Sequence, residues 1–404
     1  MRGSVGMWRS GVRMATAVAA LGVAGAALGG VTDVEIVSHV YKPAALAPTP
    51  ARLAQLSLPA GFAVAPFARD VSGARMLAIG PDGRVLVTQR EQGQVMALRD
   101  SDGDGVADSR EVVVRLPAVH GIAVDGRQVY LATVDTVYRL TIDAQGAFGE
   151  PVPVQRDLPD GGQHASRTLA IGPDGALYLT VGSTCNACRE TDEESATMLR
   201  AMPPDGERQV FASGLRNTLG FDWSPVSGEL YGFDHGIDWL GDDAQPEEFN
   251  RLEQGARYGW PYVYADGQIN PQDEPPGTTA QAWAAQSVAP VLTYDAHAAP
   301  MQMQFYRGEQ FPADYRGDAF VALRGSWNRK PPSGYEIARV VFDEVGQPQR
   351  IEPFLTGLLQ AQPDGSWAHI GRPVGLVFLP DGSMLFGDDV NGVIYRVSYQ
   401  ESER

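Results

Sequence analysis

Leu169-Ala170-Ile171-Gly172-Pro173-Asp174-Gly175, followed by the run Leu177-Tyr178-Leu179, is the stretch that decides the fold. An apolar segment, a Pro-Asp-Gly turn and a second apolar segment make a β-hairpin, because the turn residues accept a tight reversal while the flanks prefer extended chain. The phrase returns as Leu77-Ala78-Ile79-Gly80-Pro81-Asp82-Gly83 before Val85-Leu86-Val87, and as Gly121-Ile122-Ala123-Val124-Asp125-Gly126 before Val129-Tyr130-Leu131. It returns again as Leu376-Val377-Phe378-Leu379-Pro380-Asp381-Gly382 before Met384-Leu385-Phe386. A looser copy runs from Gly220-Phe221-Asp222-Trp223 to Leu230-Tyr231, and a degenerate one is Tyr315-Arg316-Gly317-Asp318 before Ala319-Phe320-Val321. Hairpins recurring at roughly 40–60 residues, each with room for two more strands, predict an all-β, six-bladed β-propeller over residues 58–400.

Outside the repeat, Arg2, Arg9 and Arg13 precede an apolar run from Met14 to Leu28 that ends in small residues. That order is expected of a secretory signal peptide over residues 1–30, or of a retained N-terminal anchor tethering the protein to a membrane. Export to the periplasm or the medium follows from the first reading. Residues 31–57, with Pro43, Pro48 and Pro50, read as a linker. The formal charge of −17 argues against nucleic acid as a partner, since phosphate backbones reward clustered Lys and Arg. The two cysteines, Cys185 and Cys188, form C-x-x-C, which in an exported protein reads as a local disulfide ahead of a redox-active pair. Arg189 stands where a c-type haem attachment would need His.

In a propeller the first strand of each blade lines the axis, so the residues just before those strands surround one end of the channel. Those residues are Arg75, His120, His164 with Arg167, Arg216 with Asn217, and Arg372. Cations therefore gather at one phase of an acidic chain. Either they pair with Asp and Glu between blades, or they converge on a ligand carrying several carboxylates or phosphates.

A separate pattern, Asp100, Asp102, Asp104, Gly105, Asp108 and Glu111, matches D-x-D-x-D-G-x-x-D-x-x-E. Its side-chain oxygens, with the carbonyl of Val106, are expected to wrap a Ca²⁺ in a hairpin loop of the first blade. The bland alternative is a solvated acidic turn.

The ordered set Gly162-Gln163-His164-Ala165-Ser166-Arg167, Gly214-Leu215-Arg216-Asn217, Asp234-His235-Gly236-Ile237-Asp238 and Pro246-Glu247-Glu248-Phe249-Asn250 resembles the soluble quinoprotein glucose and sorbosone dehydrogenase family. Tyr258-Gly259-Trp260-Pro261, Gly325-Ser326-Trp327-Asn328-Arg329 and Gly371-Arg372-Pro373-Val374 complete the resemblance, which spans roughly residues 55–398. The Ser-Trp-Asn-Arg segment and the C-x-x-C loop are more similar to the sorbosone branch. The resemblance implies pyrroloquinoline quinone (PQQ), a tricarboxylate, as cofactor, a sugar as substrate, and an external electron acceptor such as a cytochrome or a quinone. It implies His164 as general base and Arg216 beside the quinone oxygens with Asn217. His235, Arg329 and Arg372 are implied as further cofactor contacts. Backbone carbonyls of Gly236 and Ile237 are implied as ligands of an active-site calcium, and Glu248 as a ligand of a second one. Ser183 stands where the glucose branch places an Asp beside its base, Val374 where it places a second Arg, and His235 where it has Gln.

Two other functions fit a propeller. A calcium-dependent lactonase would place carboxylates and Asn on the axis, whereas this sequence puts cations there; a binding module would need no base.

Overall fold

The computed structural model describes residues 36–159 and 161–401; the expected leader lies outside them. The described chain is almost wholly β, with six four-stranded antiparallel sheets. The first comprises Ala74–Ile79, Val85–Gln89, Gln94–Arg99 and Ser109–Arg115, and the second Gly121–Asp125, Gln128–Ala132, Val137–Thr141 and Val152–Gln155. The third comprises Thr168–Ile171, Leu177–Val181, Thr197–Ala201 and Gln209–Ser213, and the fourth Thr218–Trp223, Leu230–Asp234, Glu247–Arg251 and Leu292–Tyr294. The fifth comprises Pro300–Phe305, Ala319–Leu323, Glu336–Phe342 and Pro348–Leu355. The sixth takes Pro373–Phe378, Met384–Asp388 and Val393–Tyr399 from the C-terminal part of the chain and its outer strand, Phe62–Ala68, from the N-terminal part.

The Pro-Asp-Gly turns explain themselves in atomic terms. Gly83, Gly175 and Gly382 all have positive φ, at +81°, +73° and +85°, where a side chain would strain the backbone. The preceding aspartates accept the next amide but one: Asp174 Oδ1 takes Ala176 N–H at 3.1 Å and Asp381 Oδ1 takes Ser383 N–H at 2.9 Å. The degenerate fifth copy differs. Its two strands are joined by residues 306–318 with a 3-10 turn at Ala313–Tyr315, so the expected tight turn is replaced by a long connection. Phe311 and Tyr315 from that connection, with Phe320 and Phe354, meet Phe62 of the N-terminal strand; Phe62 lies 4.8 Å from Phe311 and 5.0 Å from Phe354, both edge-on.

Second strands such as Val85–Gln89, Leu177–Val181 and Ala319–Leu323 are buried on both faces, whereas the outer strand Ser109–Arg115 is mostly exposed. Each fully buried Val or Leu contributes about 1.5–3 kcal/mol, so cohesion is concentrated in the middle of each sheet. First strands neighbour one another in chain order, and that of the sixth sheet lies beside that of the first. Gln302 stitches this seam: its Oε1 accepts the amides of Leu77 and Leu376 at 2.9 and 3.1 Å, and its Nε2 donates to Leu77 O at 2.8 Å.

Residues 36–57 run against the sheets. Ala44 and Ala45 pair with Ala368 and His369, and Tyr41 N–H donates to Trp327 O at 2.9 Å.

Candidate active site

In an antiparallel hairpin the residue before the first strand and the residue after the second lie side by side. At this end of the sheets those two sets meet around a cavity of about 540 Å³. His164, Arg216 and Asn217 line it from the positions before first strands, and Arg75 from the start of one; Arg90, His235 and Arg324 line it from positions after second strands. Sequence reading found the first set because each follows a recognisable phrase. Arg90 and Arg324 were missed, although one signal would have found them: the residue ending each second strand.

His164 sits on a loop that needs two glycines. Gly162 has φ +46° and runs so close to Thr184 that a Cβ would come 2.4 Å from its carbonyl. A Cβ on Gly182 would lie 2.6 Å from His164 Cβ. The buried Arg167 braces the same loop, donating to Val134 O, His164 O and Pro159 O. His164 Nδ1 lies 3.0 Å from Ser183 O and 2.8 Å from Ser183 Oγ. A carbonyl only accepts, so Nδ1 carries the proton and Nε2 is left with a free lone pair. Ser183 thus orients the imidazole without charge. Burial, then the positive charge of Arg216 and neighbouring His235, push the His164 pKa down to about 3.

Arg216 is 2% exposed. Its Nε donates to Asn186 O at 2.9 Å, and Nη2 donates to Asn186 Oδ1 at 2.7 Å and to Asp238 Oδ2 at 2.8 Å. The backbone that carries it is pinned by Asp234, which accepts the amides of Arg216 and Asn217 at 2.7 and 2.8 Å and the hydroxyl of Thr218 at 2.9 Å. Burial raises Asp234 to about 6. His235 faces Asn217 with Nδ1 and directs Nε2 at Pro300 O, and burial lowers it to about 4.

One carboxylate serves three arginines, of which Arg75 and Arg324 line the cavity and Arg372 is not among the lining residues. Asp389, 6% exposed, contacts Arg75 at 3.3 Å, Arg324 at 2.9 Å and Arg372 at 3.0 Å. Arg90 completes the group, and its buried Nε has no protein partner among the described residues. Burial and the charge of Arg324 lower Arg75 to about 10. Positive charge is in excess there.

Other predicted residues are distributed differently. Gly236 lines the cavity, with buried Ile237 next to it. Beneath Gly236 lies Glu247, unassigned in the sequence reading, whose carboxylate accepts the amides of Gly236 and Ala299 at 2.9 and 2.8 Å; burial raises it to about 8. Glu248 is buried away from the cavity lining, accepting from Ala265 N and Gln245 Nε2, and burial raises it likewise to about 8. Arg329 turns away from the cavity to Asp243 and Ala296 O; the cation that faces inward on this segment is Arg324.

In the acidic loop, oxygens of Asp100, Asp102 and Asp108 lie within 4.8 Å of one another. Asp104 caps Val106 N–H instead, and Glu111 points to Arg84 at 2.7 Å because it stands on the paired strand Ser109–Arg115. Cys185 and Cys188 form a disulfide.

The model of the TrAA12-like family matches residues 56–400. The chain belongs to that family. It is 30% identical over 298 residues, 70% of this chain and 76% of the relative, to an uncharacterized protein of Borreliella burgdorferi. It is 25% identical to the pyrroloquinoline quinone-dependent pyranose dehydrogenase of Coprinopsis cinerea over 84% of this chain, but spans only 54% of that longer protein. Among solved structures, the iodide structure of the Trichoderma reesei AA12 enzyme superposes with a TM-score of 0.75 at 22% identity, covering 89% of this chain and 100% of that one. The holo pyranose dehydrogenase PQQ domain from Coprinopsis cinerea gives 0.72 at 23% identity, covering 89% and 100%. The TrAA12-like chain therefore shares the fold of these structures. Among its described residues no helix is long and apolar enough to cross a membrane.

Proposed function

We propose that this TrAA12-like protein is an exported, PQQ-dependent sugar dehydrogenase, built as a closed six-bladed propeller and acting in the periplasm or the medium. The observation that carries the cofactor assignment is the cationic wall: Arg75, Arg324 and Arg372 share the single carboxylate of Asp389, beside the unpartnered Nε of Arg90. Such a wall lacks negative charge, and a planar polycarboxylate supplies it. When bound, the quinone supplies a two-electron acceptor for the hydride leaving a sugar CH–OH or hydrated aldehyde carbon. His164 takes the hydroxyl proton on Nε2, the nitrogen its hydrogen bonds leave unprotonated. Arg216 and Asn217 donate toward the oxygens on which negative charge develops, from positions fixed before the reaction begins. The carbonyls of Gly236 and Ile237 would hold a Ca²⁺ beside the cofactor; the buried carboxyl oxygens of Glu247 at Gly236 suit a hard divalent ion. Asp100, Asp102 and Asp108 would hold a structural Ca²⁺, and Glu248 a further one. Electrons leave to an external acceptor. The Ser326–Arg329 segment and the disulfide loop support a sorbosone-like branch.

The test is direct. Purified protein supplied with PQQ and Ca²⁺ is expected to reduce a dye only when a sugar is added. Lactone hydrolysis without the quinone, or sugar-independent dye reduction, would overturn the assignment.

A further inference from the structure

The loop closed by the Cys185–Cys188 disulfide lies between the second and third strands of the third sheet, and the function proposed above gives it no role. Two of its residues nevertheless reach the groups that the proposed reaction uses, Asn186 directly at Arg216 and Cys185 through Ser183 at His164. Asn186, inside the loop, accepts Arg216 Nε on its main-chain oxygen at 2.9 Å and Arg216 Nη2 on its Oδ1 at 2.7 Å. The same Oδ1 accepts Asp238 N–H at 2.9 Å, and the same main-chain oxygen accepts Trp260 Nε1–H at 3.2 Å. On the other side, Cys185 O accepts the Ser183 hydroxyl proton at 2.7 Å, which commits Ser183 Oγ to accept from His164 Nδ1–H at 2.8 Å.

We infer that this disulfide-closed loop is a positioning element for both reacting groups, with Asn186 as the positioning residue for Arg216. The inference rests on the dehydrogenase reading. Its physical logic lies in the choice of a neutral clamp. Arg216 must be held in one rotamer yet keep its charge available for an oxygen in the cavity. Two uncharged oxygens of Asn186 fix the Nε–Nη2 edge without cancelling that charge, and among the described residues Asp238 is the one carboxylate that ion-pairs with it. Nη1 is then the nitrogen left for a ligand in the cavity. Placing both acceptors in a four-residue covalent ring removes the freedom that an irregular loop would otherwise have, and Cys185 O carries the same rigidity to the base.

The experiment compares wild type with Asn186→Ala and Asn186→Asp, with two readouts. The first needs no cofactor: hydrogen exchange of the Arg216 Nη2–H that Asn186 Oδ1 accepts, followed by NMR. It is expected to quicken at least about tenfold in N186A, which loses the Oδ1 acceptor, and to be protected again in N186D, which keeps a side-chain oxygen there. Backbone amides of Leu177–Val181 serve as the control for intact folding. The second readout is sugar oxidation with PQQ bound: kcat is expected to fall about a hundredfold in N186A, while KM and quinone affinity change by less than about threefold. Opening the ring with Cys185→Ser and Cys188→Ser is expected to lower kcat about tenfold. Unchanged exchange in N186A, or quickened exchange with unchanged kcat, overturns the inference. If wild type fails to oxidise sugar, the dehydrogenase reading fails, and with it this role in catalysis; wild-type activity matched by N186A sinks this inference alone.

Discussion

Replacing Asp389 by Asn removes the carboxylate that, among the described residues, ion-pairs with Arg75, Arg324 and Arg372. In the cofactor-free protein three guanidinium groups would then face one another across contacts of 2.9–3.3 Å to a neutral side chain. Breaking a buried ion pair by removing one partner costs about 3–5 kcal/mol. The lower end applies here, since the arginines are 18–30% exposed and partly screened. Arg75 gives a gauge of what holding charge costs there: burial first, and then the charge of Arg324, lower it to about 10, about 3 kcal/mol against the charged form. At roughly 2 cal/mol/K of unfolding entropy per residue, a chain this long loses about 1.3 °C per kcal/mol, so Asp389→Asn is expected to lower the melting temperature by about 4 °C. Saturating PQQ should reduce that loss to below about 2 °C, because the cofactor's carboxylates supply the missing charge. Paired calorimetric melts with and without PQQ measure both values. An equal drop in the two conditions, or no drop without cofactor, would refute the reasoning.

Four further outcomes follow, three from the cavity and one from the acidic loop. A histidine whose pKa is lowered stays in its base form as acid is added, so kcat/KM of wild type should remain flat from about pH 7 to about pH 5; a break near 6.5 would show an ordinary histidine. His164→Ala should cut kcat by about a thousandfold and leave PQQ affinity within about tenfold, measured by dye reduction and by fluorescence titration. Gly182→Ala, whose new Cβ would sit 2.6 Å from His164 Cβ, should lose activity with the strand circular dichroism intact; full activity would show that the loop is not held there. In the acidic loop, Asp100→Asn with Asp102→Asn should reduce by at least half the gain in melting temperature that Ca²⁺ gives wild type, and an undiminished gain would remove calcium from that site.

The repeat was legible because its determinants are local. A turn glycine at positive φ and an aspartate capping its own turn leave a signature within ten residues, and Gly175 with Asp174 or Gly382 with Asp381 could be read directly. The fifth hairpin was legible only in part, since its partners are joined by residues 306–318 and recognition there depends on Phe311 and Tyr315 reaching Phe62 from far along the chain. The site followed the same division. Arg75, His164 and Arg216 stand before or at the start of readable strands. Arg324 was not singled out, and Arg329 was: Arg324 faces inward because it directly follows the strand Ala319–Leu323, whereas Arg329 pairs with Asp243. Glu111 fitted a spacing pattern, but its strand pairing carried it to Arg84. Asn186 left no signal: a clamp made by a loop across 30 residues of sequence is visible only once the chain is folded.

If the cationic wall seats PQQ, cofactor binding must depend on its arginines. Spectrophotometric titration of the purified protein with PQQ in Ca²⁺ should saturate at one equivalent per chain. Arg324→Ala should weaken that binding about 10–100-fold, the value of one charge-assisted contact of about 1.5–3 kcal/mol. A wild-type chain that takes up no PQQ, or binds it equally well without Arg324, would contradict the central claim.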